Sequence, residues 1–317
     1  MDIALIVSLL TLTIAAATSL IYATLGEIFT ERAGILNLGV EGIMIMGAVT
    51  GFAAAFHSDN VWAGVFIAMV FGGLLALIHA FLTVSLRADQ VVSGLALTLF
   101  GLGLASFLGQ RLGPDSSPLV GLIGPRFTRI ALPVLSEIPL VGPALFNQDL
   151  LVYIMYIFVP ISAFYLYRTR PGLNLRAVGE SPQTADAMGV SVFNVRYLYT
   201  VAGGMLIGLG GAHLSLAYTP GWSENLTGGR GWIVIALVIF ATWDPYRAVI
   251  GALLFGGVNA VQFRLQAAGT TIPASILNML PYILTVVVLT LVTWRENVSK
   301  RVGAPASLGL PYMREER

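Results

Sequence analysis

Apolar residues run through this chain in long blocks, cut by charges and turn residues rather than interleaved with polar positions. Blocks of about 20 such residues form helices that cross a hydrocarbon layer ~30 Å thick. Cut this way, the pattern predicts nine spans at roughly 3–25, 34–56, 61–86, 90–110, 149–167, 197–218, 230–243, 247–264 and 275–294. The fold class is therefore all-α: a polytopic helical membrane protein of about nine transmembrane helices, within a range of eight to ten. Segment 230–243 is the short one, at ~21 Å of helix, and either spans or re-enters. Two connections are long: 111–148 is rich in proline, and 168–196 is rich in arginine.

Composition agrees with the pattern. Hydrophobic residues make up 56% of the chain and charged ones 10%, against about 25% charged in a soluble domain. So little charge cannot cover a water-soluble body. Net charge is +1, with no basic run, which argues against nucleic acid as a partner. Cysteine is absent, so disulfides and thiolate metal sites are excluded. His57, His79 and His213 are scattered without metal-ligand spacing, and each reads as a packed or interfacial residue. No metal site is expected.

Cytoplasmic loops retain Lys and Arg. Placing 26–33, 87–89, 168–196, 244–247 and the tail from 295 inside puts 12 of the 17 basic residues there, with Arg111, Arg126, Arg129, Arg230 and Arg264 outside. The N-terminus, with Asp2 ahead of an apolar run from Ile3 and no basic residue before Arg32, reads as a first span starting outside rather than a cleavable signal. The chain is then a single transmembrane domain over 1–317. Its parts are an extracytoplasmic loop at 111–148, a cytoplasmic loop at 168–196 and a cytoplasmic tail at 295–317. Gly47 with Gly51, Gly204 with Gly208, and Gly208 with Ala212 sit at the spacing that lets helices approach closely in lipid.

Three segments carry more. In Glu31–Gly42, charge, glycines and Asn37 interrupt the start of a span; Asn37 and Glu41 share a face if the segment is helical. Glu41, the deepest acidic candidate, either pairs with Arg32 at the interface or lines the mouth of a pathway with Asn37. In Thr219–Gly231, glycines and Pro220 precede the short span, so each half of the chain holds one glycine-interrupted element. Such a pair marks a transport pathway at a repeat interface, or here simply a surface loop and a short helix. Trp222 and Trp232 serve as interface anchors or as stacking surfaces. In Gly179–Gly189, Ser181 suits an N-cap, Pro182 the first helical position, and Gly189 a left-handed close. A helix of about two turns there is marginal alone and needs something to dock against.

The runs Glu31–Ala48, Leu175–Gly189 and Gly231–Asn259 together resemble the permeases of ATP-binding-cassette importers for branched-chain amino acids, ribose and nucleosides. The first run and the tail Ala304–Glu315 are most similar to the nucleoside (simple sugar) type. The resemblance covers nearly the whole chain and implies a permease subunit in a bacterial inner membrane that is not itself an enzyme. It implies that Gly179, Glu180, Ser181, Pro182, Thr184, Ala185, Asp186 and Gly189 form an ATPase-coupling helix. It also implies a cytoplasmic ATPase that uses ATP and Mg, a second homologous permease as heterodimer partner, and an extracytoplasmic binding lipoprotein. No cofactor is expected on this chain: its one lysine, Lys300, has no Walker A frame. A nucleoside is the first expectation for the solute, with a sugar or a branched-chain amino acid as alternatives. Trp232, Phe240 and Asn259 suit stacking a base and hydrogen-bonding a ribose, and suit packing equally well. The rival class is an ion-gradient-driven secondary transporter, which usually buries carboxylates as ion relays. A membrane-embedded enzyme lacks any catalytic pair or nucleophile motif on these spans.

Overall fold

Twelve α-helices and one short β-ribbon make up the computed structural model, which describes residues 3–270, 272–299 and 303–314. Asp2, Lys300, Arg301, Glu315 and Arg317, used above to read orientation and tail, lie outside the described residues. The first four helices are α1 (Ile3–Arg32), α2 (Val40–Ser58), α3 (Val61–Ala80) and α4 (Gln90–Gly109). The proline-rich connection holds β1 (Arg129–Ala131), α5 (Val141–Phe146) and β2 (Asn147–Asp149). The remainder is α6 (Leu150–Arg168), α7 (Arg170–Glu180), α8 (Pro182–Ala187), α9 (Val192–His213), α10 (Arg230–Ala241), α11 (Pro245–Ala267) and α12 (Ala274–Ser299).

Local chemistry starts several of these helices. The side chains of Asn60, Asp89, Asp149 and Asp244 accept backbone N–H groups in the first turns of α3, α4, α6 and α11. An N-cap of this kind satisfies donors that the helix itself leaves unpaired. Among the described residues seven helices are long and apolar enough to cross a membrane, and Arg230–Ala241 and Ser275–Val288 are shorter apolar helices. The protein is a multi-pass membrane protein.

The helix ends gather at two poles. One carries α7, α8 and the tail; there the end of α1 meets the α10–α11 turn, with Trp243 Nε1 donating to Glu31 Oε2 at 2.5 Å. The other carries the antiparallel ribbon, in which Arg129 pairs with Asp149 and Ala131 with Asn147. Phe127 N donates to Leu216 O at 2.9 Å there, tying the loop to the π-helical turn Leu214–Tyr218 that continues α9. The ribbon is the one departure from an all-α chain among the described residues. Its connection also includes α5, so 111–148 is a folded cap rather than a plain loop.

α2 and α9 are enclosed on nearly all sides; α9 packs against α1, α2 and α3. Enclosed helices in lipid gain little from burial and associate through close backbone contact. The glycines provide it. A Cβ on Gly47 would fall on the backbone of Gly208, and one on Gly204 would fall on Gly72. Large apolar side chains point outward instead from α3, α4 and α6, as Phe66, Leu99, Ile157 and Phe164 do. In water such a surface would be an aggregation hazard, whereas lipid covers it at no cost.

Candidate functional site

Two places stand out, and the first is a junction inside the bundle. Between α1 and α2 the chain is unwound over 33–39. Unpaired backbone groups at membrane depth cost several kcal/mol each, and here side chains from α3 and α4 meet them. Leu36 N donates to Gln90 Oε1 at 2.7 Å, and His79 Nε2 lies 3.1 Å from Leu36 O. A carbonyl only accepts, so Nε2 of His79 carries the proton and Nδ1 accepts from Ser93 Oγ at 2.9 Å. Thr98 Oγ1 donates to Leu38 O at 2.8 Å. Asn37 lies within the unwound stretch, so it shares no helix face with Glu41. It turns back instead: Oδ1 accepts Gly39 N at 2.9 Å, and Nδ2 donates to Glu27 Oε2 at 3.2 Å.

Glu41 is in the first turn of α2 and is 3% exposed. Its carboxylate accepts Thr227 Oγ1 at 2.5 Å, Gly229 N at 2.9 Å and Gly231 N at 2.5 Å. The two N–H groups are free donors at the start of α10, so a side chain from one helix caps another. The carboxylate also faces the positive end of the α10 dipole. Gly231 is required by the approach, because a Cβ there would fall on the Glu41 backbone. Arg32 does not pair with Glu41; its Nη2 donates to Trp243 O at 3.2 Å. The two glycine-interrupted segments thus meet. The meeting is deep: Gly42 packs on Thr98 of α4, eight residues or ~12 Å beyond the start of that helix.

The remaining expected pathway residues are more scattered. Trp232, 40% exposed, projects from the first turn of α10. Phe240 lies ~12 Å further along the same helix and packs over Gly251 of α11. Asn259 is buried on α11, which doubles back, so it lies level with Trp232 rather than with Phe240. Trp222, read as an anchor or a stacking surface, is buried against Gly109. Reading the sequence for its deepest acid finds Glu41 and misses Glu27, which is fully buried in α1 beside Asn37. Its signal is the spacing of Glu27 and Glu31, one turn apart on an otherwise apolar helix.

The second place is the connection 168–196. Its first half is a helix that the arginine-rich composition conceals. Thr169 Oγ1 accepts Gly172 N at 3.2 Å and Pro171 stands at the start, which together open α7. Gly172, Leu175, Val178 and Gly179 form its buried face. Gly179 and Glu180 therefore end α7 instead of opening the coupling helix. Gly179 lets α7 lie on the carbonyl of Arg32, where a Cβ would collide. α8 is the six-residue helix Pro182–Ala187, close to the two turns expected. The Ser181 hydroxyl pairs with Thr184 Oγ1 at 2.8 Å rather than with a backbone N–H. At the other end Gly189 is left-handed at φ 84°, with its N–H on Asp186 O and Val190 N on Ala185 O. Those are the paired bonds of a Schellman close.

Ala185 and Pro182 face inward, whereas Gln183, Thr184, Ala187 and Met188 are turned outward to varying degrees, Met188 the most, at 80% exposure. Against the inner face lies the tail. Ser307 donates N–H and Oγ–H to Gly179 O at 2.9 and 2.6 Å. Tyr312 is buried with Val178, Ala185 and Val192, and Arg314 Nε reaches Asp186 Oδ2 at 3.1 Å.

At the ribbon pole a cavity of about 280 Å³ is lined by Arg126, Arg129, Gln148, Asp149 and Tyr218 among others. Burial alone would raise the pKa of Asp149, but His213 and the N–H groups of Val152 and Leu151 outweigh it and hold the carboxyl below the usual range.

Residues 8–289 match the family described as branched-chain amino acid transport system, permease component. The chain is 42% identical to TsgC13 of Haloferax volcanii, provisionally named a glucose ABC transporter permease protein, over 97% of this chain and 98% of that one. It is 36% identical to the nucleoside ABC transporter permease protein NupC of Lactococcus lactis, over 95% of each. Its fold is similar to a solved chain, provisionally of the metal-chelate type of ABC transporter in an inward-facing conformation. That likeness has a TM-score of 0.50 at 19% identity and covers 92% of this chain and 85% of that one.

Proposed function

The chain belongs to the permease component family of branched-chain amino acid transport systems, and from that premise we propose that it carries a nucleoside into the cell. It is the membrane-spanning permease subunit of an ATP-driven importer; a separate chain hydrolyses ATP, and a substrate-binding protein presents the solute. The observation that carries the choice of solute class is the Glu41 cap. A bare helix N-terminus deep in a bundle attracts anions. Here an internal carboxylate already occupies the start of α10, so the pathway beside it favours a neutral, polar solute over a phosphorylated one. A nucleoside and a sugar both fit. Two relatives named for nucleoside and guanosine permeases, at 36% and 34% identity, favour the nucleoside, and the 42% identity to TsgC13 keeps glucose as the second reading.

In this reading the α7–α8 pole is cytoplasmic and the ribbon pole extracytoplasmic, which follows the excess of arginine on the α8 side. The N-terminus is then outside and the C-terminus inside. The outer face of α8 (Gln183, Thr184, Ala187, Met188) enters a groove on the ATPase, which uses ATP and Mg. The ribbon cap and its polar cavity receive the binding protein. A second, unlike permease completes the pathway beside α10. Uptake of labelled uridine or adenosine in cells expressing the whole system tests the solute. Strong competition by unlabelled nucleosides is expected, with little from glucose, ribose or leucine; competition by glucose alone would select the second reading.

A further inference from the structure

We infer that the tail segment 303–314 is a positioning strap that links the coupling helix to the unwound α1–α2 segment, so that movement of α8 reaches the Glu41 junction. The inference rests on the reading of α8 as the ATPase-contacting helix. It goes beyond that reading, because α8 itself touches neither α1 nor α2 through any strong contact.

The strap binds each part it would have to link. Ser307 fastens it to the last turn of α7, through Gly179 O and through Val178 O at 3.2 Å. Two residues on, Gly309 N donates to Gly34 O at 3.3 Å, in the turn where the unwound segment begins. Arg196, near the start of α9 and 1% exposed, donates from Nη1 to Leu310 O at 3.1 Å. Tyr312 then fills the space between α7, α8 and α9, with its ring 5.7 Å from that of Phe193.

Its chemistry suits a permanent joint. The side chains of Ser307 and Tyr312 are buried, at 5% exposure each, and Gly34 is tailored to the contact. At φ 84° a Cβ on Gly34 would meet Ser307 Oγ and Arg196 Nη2. A tail lying loosely on the surface would demand none of this. Beyond Gly34 the route is short: five residues of unwound chain lead to Gly39, and Glu41 follows in the first turn of α2. Packed two-state elements transmit small displacements because they resist deformation between their stable arrangements. A strap bonded along its length and packed at Tyr312 moves as one body, so a displacement at α8 is carried to Gly34.

The test uses the complete transporter in proteoliposomes, with ATP hydrolysis and solute uptake measured on the same preparation. A Ser307→Ala/Tyr312→Ala variant is expected to keep the ATPase bound and hydrolysing, while solute moved per ATP falls about tenfold. Ser307→Ala/Tyr312→Phe should restore the ratio, since it keeps the ring. An unchanged ratio in the double alanine variant, or loss of the ATPase together with uptake, overturns the strap. A separate variant, Met188→Glu, addresses the reading underneath: retained ATPase binding and uptake there would remove α8 as the contact, whatever the strap variants do. If the double alanine variant does not fold, Asp186→Cys/Arg314→Cys can be joined by a short cleavable dithiol linker, since the chain has no native cysteine. Uptake that survives linkage supports a strap moving with α8. Uptake blocked by linkage and recovered on cleavage overturns it.

Discussion

Glu41 and Gly231 are 190 residues apart in sequence, yet the carboxylate of one accepts the backbone N–H of the other at 2.5 Å. The bond closes α10 from outside that helix and fixes where two interrupted segments meet. Glu41→Ala leaves two backbone donors and the Thr227 hydroxyl without their acceptor. Each buried unpaired group costs about 1–3 kcal/mol, so a clear fall in melting temperature of the detergent-solubilised protein is expected, with loss of uptake. Glu41→Gln should fall between the two, because one amide oxygen still accepts while the NH₂ confronts a donor. A melting temperature equal to the parent's in Glu41→Ala would show that the cap contributes nothing.

The same approach predicts unequal fates for two glycines. Gly231→Ala sets a methyl group on the Glu41 backbone, whereas a Cβ on Gly103 would have open space for 4 Å around it. Gly231→Ala is expected to lose folded yield and uptake. Gly103→Ala should be neutral, or gain up to about 1 kcal/mol from helix propensity. Membrane yield and thermal melting of the pair decide it.

On α8 the inner and outer faces should answer differently. Ala185 is buried under Tyr312, so Ala185→Leu overfills a packed site at about 1–3 kcal/mol and lowers stability. Asp186 makes its ion pair with an Arg314 that is 73% exposed, and such a pair contributes less than about 1 kcal/mol. Asp186→Ala should therefore melt like the parent. Thr184→Arg, on the outer face, should keep the melting temperature and lose co-purification of the ATPase.

Orientation can be read directly, because the chain has no native cysteine. Val134→Cys, at a position 74% exposed in the ribbon-pole cap, should react with an impermeant maleimide in intact cells. Gln183→Cys on α8 should react only after the cells are opened. The reverse pattern would invert the topology and place α8 where no cytoplasmic ATPase can reach it.

The sequence by itself determined the membrane class, the main spans, the two glycine-interrupted segments and the left-handed close at Gly189. These follow from local rules: apolar length against hydrocarbon thickness, and glycine where φ must be positive. α7 escapes such rules because its buried face is only four residues wide among arginines, and composition hides the spacing. The tertiary structure alone decided that Glu41 would cap α10 rather than pair with Arg32, and that the tail would grip Gly179 and Gly34. A carboxylate in a low-dielectric bundle must find donors, and which donors come within reach depends on how distant helices pack. No periodicity in a single chain encodes that distance.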